Sequence, residues 1–550
     1  MKDPVRRESA SRKSEWAVAL VATLLSMSLH VLFTIHAGGL WRDEVNTVNV
    51  SNLPSLTDVW GHIEFDSFPI LWLLIVRGWS VLGGTDFLFR LLGFGIGVSC
   101  LALLWFNARA FKGSAPLLSV ALIGFSPSII QWGDSMRGYG FGTLMMLLAA
   151  GLMWRVLEEP TGRNVGLFML AALGAVQSLY YNAVLLFSLC MGGCAVTLSN
   201  RRWRGTGAVL AVGGVSALSL VPYFSVFERS KSWGPMFQHP DLWRGIRLDW
   251  FWTKLREALN PAGAVAVWVW VGLLVVVLGG GILCVLTAEE TRLGRGQRDL
   301  ILFSSVALVV AIVGYYLFLK KLQYPTQPWY YVALLTFVAL PIDVASSAFS
   351  GFRTARIARL LVAGGIVAMT FLPAMSAVRT RMTNLDVVAA WLEQNAQPGD
   401  LLVVNPWYYG ITFARYYHGD VAWVTIPPVE DHRYARVDLF LSHMTTPDQR
   451  EPVRPILDQV AQTLGSGKRV WLVGGLHFLQ PHEQASLQPP APNGRWGWHD
   501  GPYSKSWSMQ VAGFIQSHAA RVDAIPFSDA SRTNGYEDIL LLVVQGWRGN

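Results

Sequence analysis

Long apolar runs limit what this chain can become more than any other feature. From Trp16 to Ile35 the only ionisable side chain is His30. That is about 20 residues, the length at which a helix crosses the hydrocarbon core of a bilayer. Runs of this kind recur near 16–36, 85–108, 115–131, 138–157, 166–181, 183–199, 206–226, 263–287, 299–319, 328–348 and 358–378, about eleven in all. Lipid offers no partners to backbone N–H and C=O groups, so such runs must pair them internally as helices. The first run is too long for the apolar part of a signal peptide and no small-residue cleavage site follows it, so it reads as a retained span. Charged residues make up only 15% of the 550, against about 25% in soluble domains.

A net charge of +8 would suit a nucleic-acid partner. The basic residues instead flank the apolar runs and form no stripe with interleaved aromatics, which excludes that class. Lys2, Arg6, Arg7, Arg12 and Lys13 precede the first span and place the N-terminus in the cytoplasm. The expected inside loops then carry Arg109 and Lys112, Arg163, Arg201 with Arg202 and Arg204, Arg292 with Arg295 and Arg298, and Arg353 with Arg356. An odd number of spans leaves everything after Val378 outside, together with the loops 37–84, 132–137, 227–262 and 320–327. Cys100, Cys190, Cys194 and Cys284 lie in or beside apolar runs and read as packing residues, with no disulfide framework.

The expected fold class is a polytopic α-helical membrane protein followed by a soluble extracytoplasmic α/β domain, with the division at 1–380 and 381–550. After Thr383 the apolar runs shorten. Asn384 caps the amphipathic run Val387 to Glu393, and Pro398-Gly399 ends it. Leu401 to Asn405, Val421 to Ile426, Arg469 to Val473 and Ile539 to Val544 read as strands, with helices at Arg454 to Leu464 and Trp507 to His518. Strands as continuously apolar as LLVV and ILLLVV predict a parallel sheet covered on both faces. Residues 488–498 (QPPAPNGRWGW) form a loop. The ends of the strands, at Asn405 to Gly410 and at Gly474-Gly475, are where a sugar or glycan would bind an open α/β sheet. The domain contains no dinucleotide or nucleotide fingerprint, so it reads as an acceptor-binding or interaction module.

The first outside loop holds the most unusual chemistry. It opens with Trp41-Arg42-Asp43-Glu44, and about 22 residues later comes Asp66-Ser67-Phe68-Pro69, just before the short apolar stretch Ile70 to Leu82. Carboxylates at membrane depth require partners or a function. Asp43, Glu44 and Asp66 suit a general base, ligands for a hard divalent cation, or both. A purely structural alternative pairs Asp43 with Arg42 and turns Glu44 to water. His62 and Glu64 fit either a metal set with Asp66 or an amphipathic loop face. Glu430 to Arg433 fits a site or a solvated loop.

The order of these features resembles the membrane-embedded glycosyltransferases that use polyprenyl-phosphate sugars (GT-C-like), among them the protein O-mannosyltransferases and the lipid A aminoarabinose transferases. The matching features are a basic N-terminus, one span, WRDE, D-x-x-P before an amphipathic stretch, and Arg90 in FLFRLLG. The run Asp134-Ser135-Met136-Arg137-Gly138-Tyr139 resembles that family's acidic-x-x-Arg-x-Tyr segment, with Asp where Glu is usual. Tyr324 to Pro341 resembles its late aromatic segment, with Trp329-Tyr330 in place of the usual Arg-Tyr. The likeness covers roughly residues 15–345.

The resemblance implies that Asp43 or Glu44 takes the proton of an acceptor hydroxyl while that oxygen attacks the anomeric carbon with inversion. Asp66 would position the acceptor or help hold a divalent metal, which such enzymes do not uniformly need. Arg137 and Lys320 are candidates to stabilise the departing lipid phosphate, and Arg90, Asp134, Tyr139, Tyr324 and Tyr330 are candidates to line the substrate site. Against these stand interfacial snorkelling for Lys320 and Lys321, pairing of Arg137 with Asp134, and ordinary belt positions for the tyrosines. The partners implied are a polyprenyl-phosphate-linked sugar, an envelope glycan, lipid or protein acceptor, and membrane lipid. Other readings are a lipid-linked sugar transporter or flippase, a glycan polymerase or ligase, and a membrane scaffold.

Overall fold

The computed structural model describes residues 4–66, 68–112, 114–237, 247–259, 264–286, 293–322, 326–527 and 532–548, without the side chains of 4–12, 235, 237, 264 and 284–286. Tyr324 and Arg292 lie outside the described residues, as does the side chain of Cys284. The chain divides into two compact units: Met1–His36 with Phe68–Phe224 and Gly245–Arg379, and Ala37–Ser67 with Ser225–Arg244 and Thr380–Asn550.

The first unit is helical. Among the described residues, nine helical stretches are long and apolar enough to cross a membrane, from Lys13–His36 to Arg353–Ala377. Two of the expected spans take another form. The run 115–131 is broken into Leu117–Gly124 and Pro127–Gly133. Pro127 has no N–H to donate and disfavours a helical residue before it, so the break falls at Phe125-Ser126. The run 166–181 becomes the 15-residue helix Gly162–Val176, which stops at Gln177. The stretch after Pro69 forms the short helix Ile70–Ser80. Its first N–H groups are held by Tyr223 Oη and the Gln177 carbonyl at 3.0 and 3.2 Å. Gln177 thus anchors a helix start, and its Oε1 accepts the Tyr223 hydroxyl at 2.6 Å.

Inside this unit, Arg359 donates to Glu15 Oε1 at 3.1 Å and to Asp343 Oδ1 at 2.9 Å, and it also reaches Ser114 Oγ. All three charged side chains are buried. Two carboxylates facing one guanidinium are tolerable away from water only as a mutually bonded set.

The second unit is a three-layer α/β domain. Among the described residues its sheet has five strands, β1 Leu401–Val404, β2 Trp423–Thr425, β3 Val470–Val473, β4 Ala519–Ala524 and β5 Leu541–Trp547. They lie in the order β2-β1-β3-β5-β4. β1 is parallel to β2 and β3, while β5 runs antiparallel to both β3 and β4. The sheet is thus mixed, not parallel throughout. β5 reads as a buried parallel strand because it is covered on both faces between two neighbours, and burial does not depend on strand direction. Leu401, Val403, Val470, Leu472, Leu542 and Val544 point into one core with Phe440, Ile456 and Trp507. Leu402, Val404, Trp471, Val473, Leu541 and Val543 point into the other with Leu385, Val388 and Leu392. This is the period-two alternation of a strand.

The segment Ala37–Ser67 belongs to this unit. Met382 N donates to the Ala37 carbonyl at 2.8 Å, and Leu40 N donates to Tyr416 Oη at 2.5 Å. Gly38 has φ +65°, and a Cβ there would lie 2.6 Å from the Arg381 guanidinium. Only glycine suits both the conformation and the close approach.

Candidate functional site

Each unit holds one group of the residues singled out by the sequence. In the second unit the group is built on the helix Arg42–Ser51, which begins directly after Trp41. Glu44 is fully buried, and its Oε2 accepts the Trp41 N–H at 3.1 Å. This is one half of a capping box: a Glu three residues into a helix satisfies a donor the helix itself cannot. Asp43 points elsewhere. Its side chain is 30% exposed and its Oδ1 lies 3.3 Å from Arg42 Nε. The pairing with Arg42 anticipated as a structural alternative is therefore present, and it leaves Asp43 as the solvent-accessible carboxylate of the two. Asp66 is buried, and its Oδ2 accepts the Thr47 hydroxyl at 2.8 Å.

Arg42 is itself tightly held. Its guanidinium lies over the Tyr408 ring at 4.4 Å, and its backbone N–H donates to Glu537 Oε2 at 2.8 Å. Burial works against the Arg42 charge, but Asp43, Tyr408 and Glu537 overcome it and raise the pKa. Glu537 is fully buried, and that burial pushes its carboxyl up to about 7, against the opposing pull of Arg42. Sequence reasoning missed Glu537 and gave Tyr408 no role towards the loop.

These residues do not form a metal set. Glu44 caps its own helix and Asp66 serves Thr47. Glu64 is bound by Arg229 through both oxygens at 3.0 and 2.9 Å, and His62 Nδ1 lies 2.8 Å from the Asp58 carbonyl. Among the described residues no three His, Cys, Asp or Glu side chains are grouped as ligands. The carboxylates of this loop therefore do not fit a divalent ion as arranged.

In the first unit, Asp134 Oδ2 lies 2.6 Å from His30 Nδ1, both groups are buried, and the Arg90 charge acts on Asp134. Gly97 makes room for the pair, since a Cβ there would run into both the carboxylate and the imidazole. His30 is the lone ionisable residue of the first span, and an intramembrane ionisable group signals a partner. That signal was present in the sequence without naming Asp134. Arg90 also lies 5.8 Å from the Phe33 ring.

Arg137 occupies the position before helix Gly138–Glu158, with its guanidinium 4.5 Å above the Phe68 ring. Tyr139 meets Phe68 edge-on at 5.1 Å and lies 6.5 Å from Tyr330. Tyr330 packs against Tyr181 at 5.3 Å, and its carbonyl accepts the Tyr315 hydroxyl. Arg137, Tyr139 and Tyr330 thus share one buried aromatic cluster. Lys320 stands exposed near the end of helix Arg295–Leu322.

At the strand ends of the second unit, Asn405 Nδ2 donates to the Gly475 carbonyl at 2.5 Å and to Ser508 Oγ at 3.3 Å. Asp431 is bonded by Arg433 and Arg436, which hold its carboxyl well below the usual range. Burial lowers His432 to about 4. The Glu430 to Arg433 segment is an ion-paired loop.

Helices long and apolar enough to cross a membrane, together with a small sheet domain, make up a fold shared with a solved oligosaccharyltransferase. The chain is similar to the solved oligosaccharyltransferase of Archaeoglobus fulgidus in its apo form, at 12% identity and a TM-score of 0.50, over 84% of this chain and 69% of that one. It is also similar to ArnT from Cupriavidus metallidurans bound to undecaprenyl phosphate, at 12% identity and a TM-score of 0.44, over 83% and 91%. No protein-family model matches the sequence. No curated protein matches it either.

Proposed function

We propose that this protein is an inverting glycosyltransferase that moves a sugar from a polyprenyl-phosphate carrier to an envelope glycan, lipid or protein at the outer face of the cytoplasmic membrane. The observation that carries the reading is the division of labour in the WRDE turn. Glu44 is buried and committed to the helix cap, while Asp43 keeps an accessible carboxylate beside Arg42. The GT-C-type fold and the sequence resemblance supply the reaction class.

In this reaction Asp43 accepts the proton of the acceptor hydroxyl as that oxygen bonds to the anomeric carbon. The bond from that carbon to the phosphate oxygen breaks on the opposite face, so configuration inverts and the lipid phosphate leaves with the electron pair. Arg137 is the cation proposed to stabilise the departing phosphate, since a guanidinium can bind two of its oxygens at once. Tyr139 and Tyr330 would supply aromatic faces to the donor. The basic residues flanking the spans support a cytoplasmic N-terminus and an extracytoplasmic C-terminal domain.

The test is label transfer in membranes containing the full chain. Polyprenyl phosphates of mannose, glucose, arabinose and aminoarabinose serve as donors, with an envelope extract as acceptor. Labelled product of inverted configuration from at least one donor supports the reading. No transfer from any of them contradicts it.

A further inference from the structure

In the α/β domain the position where open sheets ordinarily bind small molecules is taken up by the chain itself. The connection after β1 leads to β2 on one side of the sheet, and the connection after β3 leads away on the other. Between the carboxyl ends of β1 and β3 lies the topological switch point, where open α/β sheets ordinarily bind small molecules. Tyr408 and Tyr409 come four and five residues after β1, and β5 opposes β3 with Leu541 beside Val473, bringing Glu537 to the same edge. Here Glu537 Oε2 accepts the Arg42 N–H at 2.8 Å, and Tyr408 lies beneath the Arg42 guanidinium at 4.4 Å. Tyr416 Oη, at the far end of the helix Tyr409–Tyr416, binds Leu40 N. The start of the carboxylate-bearing helix and the residue two before it are thus gripped by three residues of the domain.

We infer that Glu537 and Tyr408 are positioning residues for Asp43: they fix Arg42, and Arg42 at 3.3 Å orients the carboxylate. The inference rests on the proposed transferase reading for the role of Asp43, but not for the grip itself. It assigns the C-terminal domain a part in catalysis that needs no ligand of its own. A backbone N–H at a helix start has no partner within the helix, so a buried carboxylate aimed at it fixes the helix axis as well as the charge. The Tyr408 ring beneath the guanidinium attracts and restrains it, and Arg42 Nε is directed at Asp43.

The experiment uses the full chain in lipid nanodiscs and the variants Glu537→Ala, Glu537→Gln and Tyr408→Ala, with two readouts. Hydrogen exchange followed by mass spectrometry is expected to show peptides over 40–46 exchanging at least tenfold faster in Glu537→Ala, with peptides over β1 and β3 unchanged. Glu537→Gln, which keeps an acceptor oxygen, is expected to stay close to wild type in exchange. Transfer from whichever of the four donors is active is expected to fall at least tenfold in kcat for Glu537→Ala and Tyr408→Ala, with KM for the donor within threefold. Unchanged exchange over 40–46 overturns the grip whatever the transfer result. Faster exchange with undiminished kcat, or with the loss in KM alone, overturns the positioning role. Faster exchange with a wild type inactive on every donor removes the role assigned to Asp43, and the transferase reading with it, while the grip stands.

Discussion

Glu44 Oε2 accepts the N–H of Trp41, three residues earlier, at 3.1 Å. The more buried of the two adjacent carboxylates is therefore a helix cap, and its substitution should behave as a structural change. Glu44→Gln keeps an oxygen able to accept that bond, so transfer should remain within about fivefold of wild type. Glu44→Ala should destabilise the helix start by about 0.5–2 kcal/mol, the range of a lost cap. Thermal unfolding and transfer rates of the two variants check this.

Burial pushes Glu537 from its ordinary 4.5 up to about 7. The unfolded chain releases this proton at lower pH than the folded one, so the folded protein binds more protons between these values and its stability falls as pH rises. The contribution is complete below about 4.5 and lost by about 7, and a shift of this size corresponds to on the order of 3 kcal/mol. Arg42, Asp43 and Thr412 face the carboxyl, and Tyr409 feels its charge. Glu537→Gln should flatten the slope of melting temperature between pH 5 and 7.5 in nanodiscs. A slope equal to wild type would contradict it.

The Arg137 guanidinium lies over the Phe68 ring at 4.5 Å. Lysine keeps the charge but loses the planar face and the paired donors. Arg137→Lys should raise KM for the lipid donor at least tenfold, or lower kcat by as much, while the protein stays folded by size-exclusion chromatography. Wild-type kinetics would mean that Arg137 only packs.

Arg359 holds Glu15 and Asp343 in a buried set. Removing the cation leaves two carboxylates without their counter-charge, a change that destabilises by about 3–5 kcal/mol. Arg359→Met should therefore lower the melting temperature markedly and reduce the yield of folded protein. Arg359→Met combined with Asp343→Asn and Glu15→Gln should recover part of the loss.

The membrane spans were legible because bilayer crossing imposes a length and a composition that can be read locally. The interruption before Pro127 is carried by the proline itself, which breaks the apolar run 115–131 into two helices. In the domain, β1 and β3 were legible from their apolar runs. β4 escaped because AARVDA is an edge strand, largely exposed and without a regular apolar alternation. The Arg42–Asp43 pair was visible in adjacent letters. The Glu537–Arg42 bond joins positions 495 apart, and His30–Asp134 joins positions 104 apart. Neither leaves a periodic trace, since such contacts arise only once the strands have been ordered and the helices packed.

The central claim is that Asp43 is the base. It is tested most directly by initial rates of sugar transfer from polyprenyl phosphate with wild type, Asp43→Asn and Glu44→Gln at equal abundance in the membrane. Loss of the charged base should lower the Asp43→Asn rate by at least about a thousandfold, within the range general-base catalysis supplies, while Glu44→Gln stays within about fivefold. If Asp43→Asn transfers at the wild-type rate, or Glu44→Gln is the variant that fails, the base has been assigned to the wrong carboxylate and the account of the WRDE turn is wrong.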